Sequence, residues 1–196
     1  ALMLASEKGH VECVATLIVA KATVDRTTEN DRVNVNGWTA LMIASLKGRV
    51  ECVATLIEAK ATVDLADRFG DTALMSASRE GHIECVRALI EAKTKVDQAN
   101  NDGDTALMMA SEHGKIECVR ALIEAKATDD GRAMIKAGNV AVLELLIQAF
   151  EPQNFAMAAL QWSAVSCCSQ VQMGDALLSQ AQAVFVTKLT ELCHED

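Results

Sequence analysis

One phrase of about 25 residues recurs four times along this chain, and self-similarity at a fixed spacing is the signature of units that pack on copies of themselves. The copies open at Ala1-Leu2-Met3-Leu4-Ala5-Ser6, Ala40-Leu41-Met42-Ile43-Ala44-Ser45, Ala73-Leu74-Met75-Ser76-Ala77-Ser78 and Ala106-Leu107-Met108-Met109-Ala110-Ser111. Successive starts are 39, 33 and 33 residues apart, so a strict period carries a single six-residue insertion. The pattern predicts a stacked array.

Each copy continues alike. Gly81-His82-Ile83-Glu84-Cys85-Val86-Arg87-Ala88-Leu89-Ile90-Glu91-Ala92-Lys93 stands for Gly48 to Lys60 and for Gly114 to Lys126. Ile83, Val86, Leu89 and Ile90 recur at helical spacing and paint one apolar stripe, while Ala73, Leu74 and Ala77 share a face of the preceding segment. Both segments fall short of the roughly 12 to 15 residues at which an isolated helix holds in water, so each pair must be stabilised by its neighbours.

The repeated residues resemble ankyrin repeats, in which a Thr-Pro-Leu-His-x-Ala turn opens one helix, Gly-His opens a second and a hairpin leads to the next unit. Here the turn reads Thr-Ala-Leu-Met at Thr39, Thr72 and Thr105. The resemblance covers roughly residues 1–149. It implies a mainly α fold, an α-solenoid of stacked helix pairs joined by short β-hairpin loops, with a C-terminal helical appendage. Four units are expected at about 1–33, 34–66, 67–99 and 100–128, followed by a degenerate capping unit at 129–149. In that last unit, Val140, Leu143, Leu146 and Ile147 match Ile116, Val119, Leu122 and Ile123, but nine residues of hairpin and turn are missing. Residues 150–196 follow the single proline, Pro152, and share no repeat motif. Ala176, Leu177, Ala181, Val184 and Phe185 suggest a helix there, which finishes the cap or begins another domain. The first copy starts inside a repeat, as expected of a segment of a longer protein.

Departures from the family pattern carry expectations of their own. The threonines are placed as N-caps. Met42, Met75 and Met108 stand where the family has His, which removes a partner of the threonine hydroxyl and predicts a less rigid turn. Lys60, Lys93 and Lys126 occupy a left-handed position usually given to glycine, at a cost of about 1 kcal/mol each, partly offset by their charge near a helix C-terminus. These lysines are expected on a solvated face.

Charge and thiol chemistry narrow the function. Eighteen Lys and Arg against 27 Asp and Glu leave a net charge of −9, which argues against a nucleic-acid partner. The least charged stretch, 152–174, is broken by polar residues, so no membrane span is expected. Seven cysteines without dense spacing suit the reducing cytoplasm or nucleus, and an intracellular location is expected. Cys13, Cys52, Cys85 and Cys118 recur one per repeat. Their helices should lie about 8–10 Å apart, too far for a shared zinc ion or a disulfide, so all four are expected as buried packing groups. Cys167-Cys168 and Cys193-His194 lack a second pair at ligand spacing. His10 and His82 hold a position that reads Arg49 and Lys115 elsewhere, which suits a helix start rather than catalysis. No phosphate loop, metalloprotease or serine-nucleophile motif is present. No catalytic residue, cofactor, metal or small-molecule substrate is therefore expected, and the chain is read as non-catalytic and monomeric.

The resemblance places a partner protein on the concave face made by hairpin tips and exposed first-helix positions. Carried over residue by residue, that face comprises Val35, Asn36, Trp38, Leu46 and Lys47; Arg68, Phe69, Asp71, Arg79 and Glu80; and Asn101, Asp102, Asp104, Glu112 and His113. Trp38 and Phe69 are two of only six aromatic residues, and aromatic and Arg side chains supply most interface hot spots. The same two rings can instead brace neighbouring hairpins. The inserted stretch Arg26–Asp31 is a further contact candidate, since insertions in arrays map to loops. The leading expectation is a protein–protein interaction module. The alternative is a regulatory or substrate-recruiting segment of a larger enzyme of the kinase or ubiquitin ligase type, and a spacer without a specific partner is a third reading.

Overall fold

A computed structural model describes residues 1–27, 37–129 and 132–149. Among them, helices come in pairs: α1 (Leu2–Lys8) with α2 (Val11–Val19), α3 (Ala40–Leu46) with α4 (Val50–Glu58), α5 (Ala73–Glu80) with α6 (Ile83–Glu91), and α7 (Ala106–Glu112) with α8 (Ile116–Glu124). A four-residue α9 (Arg132–Ile135) and then α10 (Val140–Ala149) follow. First helices pack in one row, α1 on α3 on α5 on α7 on α9, and second helices form the other row, α2 on α4 on α6 on α8 on α10. The result is a helix-pair solenoid in which α9 and α10 continue both rows. The expected helical segment at 150–196 lies outside the described residues.

The core lies between the two rows. Leu41, Leu74 and Leu107 from the first helices meet Leu56, Leu89 and Leu122 from the second, all at most 2% exposed. Burying one such leucine contributes about 1.5–3 kcal/mol, and none of these short helices can do so alone. The invariant leucines of the repeat are therefore letters of the interior, whereas its invariant glutamates (Glu51, Glu84, Glu117) and lysines (Lys60, Lys93, Lys126) are exposed.

Local chemistry sets the helix starts. The hydroxyls of Thr39, Thr72 and Thr105 accept from the backbone N–H of Met42, Met75 and Met108, three residues on. The sulfur of Met42 in turn accepts from Thr39 N–H at 3.4 Å, which closes a reciprocal cap. Met42 thus supplies a weak partner at the turn where the family has histidine. At the far end, Lys60, Lys93 and Lys126 adopt φ of 65°, 62° and 64°, as expected, and Lys21 joins them at 60°. These lysines hold the left-handed bend that lets Ala61, Thr94, Ala127 and Ala22 donate back into the ends of the second helices.

Between helix pairs the chain makes tight turns rather than long strands. One isolated antiparallel bridge joins Ala66 to Thr72, and no extended strand occurs among the described residues. Asp67 N–H donates to the Asp71 carbonyl and Gly70 N–H to the Asp67 carbonyl; Asn100, Gly103 and Asp104 repeat both bonds one unit later.

Neighbouring units are stitched by side chains as well as by packing. Asp25 accepts from Thr62 N–H and hydroxyl at 3.0 and 2.7 Å. Asp64 accepts from the Thr94 hydroxyl and Lys95 N–H at 2.7 and 2.8 Å, and Asp97 from Thr128 N–H at 2.8 Å. At the opposite turn the residue after glycine reaches back: Arg49 Nε donates to the Glu7 carbonyl at 3.2 Å, and His82 Nε2 to the Leu46 carbonyl at 3.1 Å. His10, Arg49, His82 and Lys115 cap no helix with their side chains. All four are the N-cap residues of the second helices, as expected of a helix start, and Arg49 and His82 add a tie between units. Gly48 has to be glycine for the same reason, since it has φ of +65° and a Cβ there would lie 2.6 Å from the His82 ring.

The cysteines divide. Cys52, Cys85 and Cys118 are buried as expected, and burial pushes the Cys85 and Cys118 thiols up to about 11 from 9.0. Cys13 is exposed, contrary to expectation. Cys85 feels the charge of Glu51 on the preceding α4, and Cys13 has no comparable cover among the described residues.

Candidate functional site

Asp67 organises the central hairpin. Its Oδ1 accepts from Phe69 N–H at 2.8 Å and Asp71 N–H at 2.9 Å, and its Oδ2 accepts from the indole N–H of Trp38 at 2.9 Å. Asn100 does the same work in the next hairpin, accepting from Asp102 and Asp104 N–H at 3.1 and 2.8 Å. Its amide nitrogen donates to Asp71 Oδ1 at 2.8 Å. Asn101 completes the seam, giving its backbone N–H to the Phe69 carbonyl at 2.9 Å and its side-chain amide to the Arg68 carbonyl at 3.0 Å. The hairpins thus form a hydrogen-bonded shelf.

The candidate residues fall into distinct roles on that shelf. Trp38 is half-buried and packs against the core while its N–H is held by Asp67, so it braces the hairpins rather than standing free. Phe69 is 47% exposed, and the exposed Arg68 guanidinium stacks 4.6 Å from its ring centre. This cation–π pair keeps an apolar surface and a positive charge at one hairpin tip. Arg79 lies between Asp71 at 3.6 Å and Glu80 at 3.5 Å. Asp104 accepts from Lys136 at 2.6 Å, and the same ammonium lies 3.9 Å from Glu112. His113 is exposed, with Nδ1 donating to the Met109 carbonyl at 3.0 Å. Lys47, Asn101 and Asp102 are exposed, and Leu46 is half-buried. Val35, Asn36 and the inserted stretch from residue 28 to 31 lie outside the described residues.

Sequence reasoning overlooked the fourth letter of the repeated opening, which reads Leu4, Ile43, Ser76 and Met109. On each first helix this position and those three and four residues later share a face: Leu4, Glu7, Lys8; Ile43, Leu46, Lys47; Ser76, Arg79, Glu80; Met109, Glu112, His113. Leu4 is 60% exposed, Ile43 and Ser76 are half-buried, and Met109 is 9% exposed. The signal was available, because this is the letter that changes in every copy while its neighbours on both sides do not. Lys136, which neutralises Asp104, was also overlooked because its unit matches the repeat poorly.

Among the described residues no three His, Cys, Asp or Glu side chains gather where a metal ion could be held. Nor is any described helix long and apolar enough to cross a membrane. The arrangement offers a surface of apolar, cationic and carboxylate groups on a rigid support. A family model for ankyrin repeats in three copies matches residues 1–67 and again residues 59–133. Comparison with curated proteins gave no match.

Proposed function

Because the chain belongs to the ankyrin repeat family, whose repeats generally serve as protein–protein interaction modules, we propose that it binds a partner protein across the face formed by its hairpin tips and first helices. The observation that supports this reading is the exposed Phe69 ring under Arg68, presented on a hairpin whose own hydrogen bonds are met. A preformed surface of this kind loses little freedom on binding.

In this reading Lys47, Arg68, Phe69, Asn101, Asp102, Glu112 and His113 make contact. Trp38, Asp71, Arg79 and Asp104 hold those groups in place, and Leu46 joins the contact surface with its exposed edge. Affinity capture with the wild-type chain and with an Arg68→Ala, Phe69→Ala double variant of unchanged circular dichroism tests the proposal. Loss of a captured protein with the variant supports it, and identical capture by both rejects the hairpin tip as the contact.

A further inference from the structure

The first-helix face changes character along the array. In its first two units it carries Leu4, Ile43 and Leu46, with Lys8, Lys47 and Arg49 gathered where the first helices end. Among the described residues the one ion pair of these cations is the 3.7 Å contact of Lys8 with Glu7. Lys47 has no ion pair among the described residues. At the opposite end of α3, beside Trp38, stands the next hairpin with Arg68 over Phe69, a cation that faces a ring and has no ion pair among the described residues. An apolar strip one short helix in length, about 10 Å at 1.5 Å per residue, is therefore bounded by positive charge at both ends.

The third and fourth units show the contrast. There the strip positions read Ser76 and Met109, the latter 9% exposed, and the cations Arg79 and Lys136 are paired, while Lys115 stands where Arg49 does. Arg79 is held by Asp71 and Glu80, and Lys136 by Asp104 and Glu112, with Asp102 adding a further exposed carboxylate. In a chain whose net charge is −9, the cations Lys47 and Arg68 flank the apolar Leu4, Ile43, Leu46 and Phe69 along the first two units and the hairpin tip that follows, among the described residues.

We propose that the strip of Leu4, Ile43 and Leu46, set between Lys47 and Arg68, receives a protein segment whose apolar side chains are flanked by carboxylates. The inference rests on the reading that this face binds a protein, and adds the chemistry of what it binds. Apolar contacts supply affinity, and the flanking cations select the partner and its orientation. The acidic second half of the face repels the same carboxylates, so the segment sits on the first two units and the hairpin tip that follows.

A random peptide library selected on the full chain tests this. The expected result is enrichment of peptides with Asp or Glu flanking apolar residues, whose affinity falls about tenfold on Lys47→Glu and recovers when a peptide carboxylate is exchanged for Lys. Lys47 is exposed and outside the core, so the variant is expected to fold. Peptides that depend on Ile43 and Leu46 but carry basic flanks, or no charge preference, overturn the inference and leave the binding face standing. If no selected peptide loses affinity on Leu46→Asp, Lys47→Glu or Phe69→Ala, both the inference and the face are rejected.

Discussion

The first helix pair and the third are nearly the same sentence in different surroundings. Val14 and Val86 occupy one position and are both fully buried. Cys13 and Cys85 also occupy one position, yet one is exposed and the other is buried beneath α4. Leu17 is half-buried where Leu89 is completely covered. A residue's burial in this molecule is set by its neighbour as much as by its letter, which is what nearest-neighbour stabilisation means at the level of atoms.

That contrast is broken most severely by truncating both leucines. Leu89→Ala is expected to destabilise the array by about 2–5 kcal/mol, and Leu17→Ala by roughly a third as much, read from urea unfolding midpoints. Equal losses would mean that the first pair is as well packed as the interior.

Alkaline pH separates the same two units next. Burial raises the Cys85 and Cys118 thiols from 9.0 to about 11, so folding favours their neutral form. The stability this represents is fully present below pH 9 and is lost as pH climbs through about 11. Unfolding midpoints should fall over that interval, and a Cys85→Ala, Cys118→Ala variant should show a shallower fall. Peptide mapping after brief native alkylation should find Cys13 modified and Cys85 intact.

Thr72→Ala gives the interior helix α5 the unbonded start that α1 has at Ala1, with an expected loss of about 1 kcal/mol. The smallest effect belongs to Lys93→Gly and Lys21→Gly. Both relieve a left-handed residue, and glycine's greater freedom in the unfolded chain returns part of that gain, so calorimetry should show an increase of only about 0.5 kcal/mol at either site.

The repeat made the fold readable. The period fixed the helix pairs, the threonines their starts and the lysines their left-handed ends, because each of these is decided within a few residues of chain. What the letters concealed was decided across units. His82 opens α6 as its letter suggests, but its ring also reaches the Leu46 carbonyl 36 residues away. Trp38 could be read as an interface anchor or as a brace between hairpins, and Asp67 of the following hairpin holds its N–H. The letters also gave no sign that Asp71 and Lys136 stand beside the contact candidates Arg79 and Asp104. The strip at Leu4 and Ile43 was missed for a different reason: attention went to rare letters, whereas the informative letter was the one that varies inside a constant frame.

The aspartate ties have a mechanical consequence. Asp25, Asp64 and Asp97 each grip the first residues of the next turn, so adjoining units are fastened along one edge by the same kind of bond. Tension applied along the stack would load these fasteners in series, each lengthening a little while the whole extends by their sum. The molecule is in that sense a spring whose stiffness falls as units are added.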